Sequence, residues 1–148
     1  METHEQAVKR GKKSRAGGAN FEVRVRKDLE EGGWIVDRWT NNVSSVFGQD
    51  IGEYVRELIP AKAKWNNFTK SMIMGKGGFP DFLAFKQQGN KGLYDFIGVE
   101  CKTRGYLDKE ECAKCQWLLD KNIFSRILIA RKIKIKNRIH IEYKEFNE

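Results

Sequence analysis

GFPDFLAFKQQGNKGLYDFIGVECKT, residues 78–103, decides how this chain is read. Asp81 to Lys86 reads as a strand entered through Pro80. Gln88 to Gly92 supplies turn residues. Leu93 to Thr103 reads as the next strand, and its alternation assigns the faces. Ile97, Val99 and Cys101 share one side; Gly98, Glu100 and Lys102 share the other. The apolar set belongs in a core. The second set puts Glu100 beside Lys102, with Gly98 leaving open space next to them. Asp81 then stands at the mouth of one strand and Glu100, 19 residues on, near the end of its neighbour.

Two carboxylates at adjacent strand ends can share one hard divalent cation. The backbone carbonyl of Cys101 offers a third oxygen, because a strand carbonyl lies in the plane of the sheet. Lys102 can orient or deprotonate a water, or counter charge developing on a phosphate. Phosphodiester hydrolysis needs these elements: an activated water, a stabilised leaving oxygen and neutralised charge. Glu-x-Lys alone is also what a surface ion pair looks like, worth about 0–1 kcal/mol. The order, the spacing and the hairpin between the acids make the combination specific.

Outward from this stretch, Met1 to Gly18 reads as a flexible basic arm. Phe21, Val25 and Leu29 recur at helical spacing, so a helix should run from Ala19 to Glu31 and stop at Gly32-Gly33. Trp34 to Trp39 reads as a strand. Asp50 and Glu53 have capping-box spacing, and Ile51, Val55, Leu58 and Ile59 then repeat helically up to Pro60. That predicts a short helix over Ile51 to Ile59. Asp108 to Lys121 should be a helix with Cys112, Cys115 and Leu119 on its buried stripe. Arg126 to Ile133 and Ile139 to Tyr143 read as strands joined by a turn near Lys136-Asn137. The sum is a single α/β domain with a mixed sheet flanked by helices.

The chain has 28 Lys+Arg against 20 Asp+Glu over 148 residues, a formal charge of +8, which favours a polyanionic partner. The charge is concentrated. Gln6 to Phe21 contains no acid but holds Lys9, Arg10, Lys12, Lys13 and Arg15. Ala61 to Pro80 again contains no acid, and there Lys62, Lys64, Lys70 and Lys76 are interleaved with Trp65 and Phe68. Such stretches suit phosphate contact combined with base or sugar packing. Lys132, Lys134 and Lys136 alternate with isoleucines, a pattern that fits tracking of a phosphate backbone and, better, a lysine-guarded edge strand. Three cysteines, an odd number, point to a reducing, cytoplasmic setting. Cys112 and Cys115 fall within a helix and lack a close fourth ligand, so packing is their expected role rather than zinc. No apolar run reaches transmembrane length, and no phosphate-loop motif signals a nucleotide cofactor. His4 and His140 fit no histidine-based nuclease motif.

Pro80, Asp81, Glu100 and Lys102 together resemble the PD-(D/E)XK nuclease superfamily. The resemblance is nearest to archaeal-type Holliday junction resolvases and virus-type replication-repair nuclease domains, the latter through Gly78-Phe79-Pro80-Asp81. It implies a restriction-endonuclease-like fold over residues 19–148, Mg²⁺-dependent cleavage of branched or duplex DNA with Mn²⁺ as a substitute, and a homodimer. It places Glu22, on the first helix, as a further metal or water ligand; an i,i+4 pair with Arg26 is the plain alternative. It suggests Gln116 near the site. The compact resolvases have a short loop with a serine where this chain has an insertion of about residues 43–75, leaving Ser44, Ser45 and Ser71 as candidates. A flap, nicking or restriction-type enzyme, or a binding protein without catalysis, are the other readings.

Overall fold

The computed structural model describes residues 3–48, 52–61, 64–68, 70–73, 77–89 and 92–147. The elements in order are α1 (His4–Glu31), β1 (Ile35–Arg38), β2 (Asn41–Gly48), β3 (Glu53–Pro60), β4 (Lys64–Asn66), β5 (Ser71–Ile73), β6 (Phe82–Gln88), β7 (Leu93–Cys101), α2 (Lys109–Asp120), β8 (Arg126–Ile135) and β9 (Arg138–Glu145). Five strands form one mixed sheet in the order β1-β6-β7-β8-β9. Only β7 and β8 run parallel, and α2 makes the crossover between them. The other neighbours are antiparallel. No described helix is long and apolar enough to cross a membrane.

Each face of the sheet carries its own core. On one, Phe21, Val25 and Leu29 of α1 pack on Val36, Phe82, Ala84, Ile97, Val99 and Ala130. On the other, Cys115 and Leu118 of α2 pack with Val43, Phe79, Phe124, Ile127 and Ile129. The alternation of β7 is thus realised, Ile97 and Val99 facing α1. Each fully buried aliphatic side chain here contributes roughly 1.5–3 kcal/mol. Cys115 is buried and Cys112 half-buried, and the cysteines are free. Lys136 and Asn137 both have positive φ, as a two-residue hairpin turn between twisted strands requires.

Two expectations are corrected. The residues read as a flexible arm are helical from His4 onward, continuous with the core-packing turns of α1. Thr3 and Gln6 close a capping box, Thr3 N–H donating to Oε1 at 2.9 Å and Gln6 N–H to the threonine hydroxyl at 3.3 Å. Ala, Lys, Arg and Gln then favour helix. Nothing lies near a Cβ position at Gly11, Gly17 or Gly18, so the early turns stand clear of the body. The helix expected over Ile51 to Ile59 is instead β3, paired residue by residue with β2 from Asn41↔Pro60 to Gly48↔Glu53. Asp50 and Ile51, on which the helical reading leaned, lie outside the described residues. Pairing with β2 and burial of Val43, only 2% exposed, outweigh the helical spacing of Val55, Leu58 and Ile59. Among the described residues the insertion forms two antiparallel ribbons, β2–β3 and β4–β5.

Candidate active site

The backbone reaches Asp81 through a narrow passage. A Cβ on Gly78 would lie 1.9 Å from the Trp39 carbonyl oxygen, so only glycine fits. Phe79 N–H donates to the Asn41 carbonyl at 2.9 Å, and the buried ring lies under the Lys114 ammonium, 5.5 Å away. Pro80, joined to Phe79 by a cis peptide, is fully buried against Gly98. A Cβ at Gly98 would meet the Pro80 ring at 2.8 Å and Phe124 at 3.2 Å. The open space expected beside Glu100 is thus filled by Pro80 and Phe124. Gly78-Phe79-Pro80 acts as a packed bracket that aims Asp81.

Asp81 and Glu100 meet where β6 begins and β7 ends. Cys101 N–H donates to the Asp81 carboxylate at 2.8 Å, and Asp81 N–H donates to the Glu100 carboxylate at 3.1 Å. Each acid is thereby fixed by the backbone beside the other. The N–H of Cys101 faces Asp81, and in an antiparallel pair a residue's carbonyl faces the same neighbour. That directs the Cys101 carbonyl to the same side. Among the described residues Glu100 alone is both charged and buried, at 5% exposure. Burial, then the charge of Asp81, push its carboxyl up to about 8 against the opposing Lys102. Burial also raises Asp81; the Cys101 amide opposes that and the nearby charge of Glu22 adds to it.

Lys102 continues the line. Its ammonium lies 3.3 Å from Glu100 and closer still to Glu111. Burial pulls its pKa down, but the bond to Glu111 and the charge of Glu100 outweigh this and raise it. Lys102 is therefore an ammonium at neutral pH, suited to holding a water or an anion rather than removing a proton. Glu111 is the residue sequence reasoning missed. It completes the capping box of α2, accepting from Asp108 N–H at 2.9 Å while Asp108 accepts from Glu111 N–H at 2.8 Å. Asp108 followed by Glu111 was the signal: a capping pair places a carboxylate in the first turn, facing the end of β7. The centre then has two carboxylates, Glu100 and Glu111, on one ammonium, with Asp81 near enough to feel its charge.

Glu22 approaches from α1. It pairs not with Arg26 but with Arg38, at 2.9 Å, while Arg26 binds Glu30 and the Val36 carbonyl. It is near enough for its charge to bear on Asp81. Gln116 is not brought to the acids: it donates to Asp120 at 2.8 Å and accepts from Asn147 at 3.3 Å. It lies on the outer, exposed side of α2, one residue past the buried Cys115. Ser44 and Ser45 sit on β2 opposite Glu57 and Arg56, and Ser71 lies on β5. The described partners of the two acids are Cys101, Lys102 and the Asp81 amide, with no serine among them. The Cys101 thiol is raised by burial and then by Asp81, and Cys115 is pushed up to about 12 by burial, so neither is a ready ligand.

The ribbon β2–β3 is tied to the site's flank. Arg56 grips Glu110 with two bonds, 2.7 and 3.1 Å, and Lys114 donates to Asn42 at 3.0 Å. Of the basic set, Lys9, Arg10, Lys12, Lys13 and Arg15 are exposed on the early turns of α1. Trp65 and Lys70 are exposed on the β4–β5 hairpin, and Lys64 lies on β4. Lys62 and Lys76 lie outside the described residues.

No family model, curated protein or solved structure matches the chain. The resemblance to the PD-(D/E)XK nucleases therefore rests on the motif residues of the sequence alone.

Proposed function

We propose that this chain is a metal-dependent DNA endonuclease of the PD-(D/E)XK kind, acting on branched DNA and in the first place on four-way junctions. In this reading the mixed sheet between α1 and α2 is a restriction-endonuclease-like core. The observation that carries it is the convergence of Asp81, Glu100 and an ammonium-bearing Lys102 at one end of the sheet.

The donor set fits a hard divalent cation. Among the described residues no three Asp, Glu, His or Cys side chains are gathered as a ready metal cage. Mg²⁺ at phosphate sites characteristically uses one or two carboxylates and keeps waters and substrate oxygens for the rest. Asp81 and Glu100 supply the carboxylates, and the Cys101 carbonyl a third oxygen. Glu22 would act through water while Arg38 holds it. The excess negative charge, which burial makes costly, is what a cation relieves. A bound Mg²⁺, or Mn²⁺ in its place, supplies Lewis-acid polarisation of the phosphate and a more acidic water.

The residues of the chain do the positioning. Asp81 and Glu100 are held side by side by backbone amides. Lys102 holds the attacking water and neutralises charge on the phosphate. Glu111 keeps Lys102 charged and in place. The basic turns of α1 and the insertion grip backbones. A homodimer would set two such sites against opposing strands of a junction, which light scattering with and without DNA tests directly.

The deciding experiment is cleavage of a labelled four-way junction in Mg²⁺, beside a linear duplex of matching sequence, with Asp81→Asn as control. Paired cuts on the junction, absent in the variant, are expected. Cleavage of both substrates would keep the nuclease and discard junction selectivity. Tight binding with no cleavage in Mg²⁺ or Mn²⁺ would overturn the enzyme in favour of a DNA-binding protein.

A further inference from the structure

The β4–β5 hairpin presents an aromatic pair to solvent. Trp65 on β4 is 55% exposed, and Phe68 in the connecting turn is 99% exposed. The ribbon closes at Asn66↔Ser71. Within the turn the Asn66 side-chain oxygen accepts the Phe68 N–H at 2.9 Å, an Asx turn that fixes the backbone under the ring. Lys70 completes the reversal with φ of +47°. Phe68 is thus held at the tip rather than trailing from a loose loop. A single exposed aromatic needs no explanation, but two on so short a ribbon do. The sequence in which they stand says what covers them. Residues 61–80 contain Lys62, Lys64, Lys70 and Lys76 and no acid. An apolar protein surface would not require that charge, whereas nucleic acid supplies phosphates for the lysines and π-faces for the rings.

We propose that the β4–β5 hairpin is a base-stacking finger, with Phe68 as its tip and Trp65 as a second platform, for nucleic acid whose bases are unstacked. This deepens the proposed function: it makes an open branch point or a single strand, rather than continuous duplex, the preferred substrate. An intact duplex offers the tip no free π-face. At a branch the terminal pairs can part, and an inserted ring recovers the lost stacking.

The test is binding of the full chain, in EDTA to prevent cleavage, to three probes: a four-way junction with 2-aminopurine at the branch point, a single strand, and a linear duplex. The wild-type chain is expected to raise 2-aminopurine fluorescence at the branch. Phe68→Ala should abolish that rise and weaken junction and single-strand binding roughly 5- to 150-fold, the range of one base–aromatic stack, while duplex affinity changes less than about twofold. Phe68→Trp should retain the wild-type response. Because Phe68 is fully exposed, an unchanged thermal melt confirms that Phe68→Ala is folded. Equal binding by Phe68→Ala and wild type to all three probes overturns the finger, as does an equal loss on all three. A finger response without Mg²⁺-dependent cleavage leaves the finger standing and removes the nuclease reading; failure to bind any probe removes both.

Discussion

Glu100→Gln should stabilise the metal-free protein at pH 8 and do nothing at pH 4.5. Glu100 is 5% exposed, and its carboxyl is raised from 4.5 to about 8 by burial and by Asp81. A carboxyl raised on folding contributes stability that is fully present below the unfolded pKa and is lost as pH rises through the folded one. The window is therefore pH 4.5 to 8. At about 1.4 kcal/mol per pH unit, the charge costs the native state on the order of 5 kcal/mol by the top of that window. Glutamine carries no charge, and its side-chain oxygen can still accept the Asp81 N–H that the carboxylate now accepts at 3.1 Å. The attraction of Lys102 for the charged form is already contained in that raised value. The gain is therefore on the order of 4 kcal/mol at pH 8, or about 10–15 °C in Tm for a domain of this size. Thermal unfolding in EDTA at pH 4.5, 6 and 8 measures it. Added Mg²⁺ should then narrow the gap at pH 8 by stabilising the wild type alone. A variant less stable than wild type by the same margin at every pH would refute the reasoning, because it would show that Glu100 is held chiefly by its partners and not strained by its burial.

Gly78→Ala should cost at least about 3 kcal/mol, read as a fall in denaturation midpoint, since the new Cβ would lie 1.9 Å from the Trp39 carbonyl oxygen. Arg56→Ala should leave global stability within about 1 kcal/mol, because the pair with Glu110 is partly exposed, yet speed amide exchange in β2 and β3. Replacing Lys9, Lys12 and Lys13 together with alanine should lower the slope of log K against log salt for DNA binding by up to about 3. Glu111→Gln should slow cleavage about 10- to 100-fold with little change in junction affinity, separating kcat from KM by single-turnover kinetics.

How far the residues announced this arrangement differs from place to place. Strand alternation placed Ile97 and Val99 against α1 and Glu100 on the opposite face, because period-two patterning is decisive where one layer must be dry. The meeting of Asp81 with Glu100 followed from a hairpin whose turn was readable at Gly89 and Gly92, both of positive φ. The ribbon β2–β3 was misread because Val55, Leu58 and Ile59 fit a helical stripe. What overrides that spacing is a partner strand elsewhere in the chain, and local periodicity carries no trace of it. The first turns of α1 were mistaken for an arm since they bury nothing, although Thr3 and Gln6 already spelt a cap. Glu111 went unnoticed because its capping spacing from Asp108, which brings a carboxylate to the start of α2, was not read. Gln116 failed for the opposite reason: a position borrowed from a resemblance says nothing about which way a side chain turns, and here it turns to Asp120.

The two bonds of Glu111, one to the start of α2 and one to Lys102, tie chemistry to assembly. The ammonium gains its second carboxylate, beside Glu100, once Asp108 has closed the first turn of α2. Asp81, in turn, follows Phe79, which packs with Cys115 and Leu118 in that same layer. A chain in which α2 has not docked therefore keeps the contact between Glu100 and Lys102 but lacks the second carboxylate, so the pairing of that one ammonium reports whether the helix is in place.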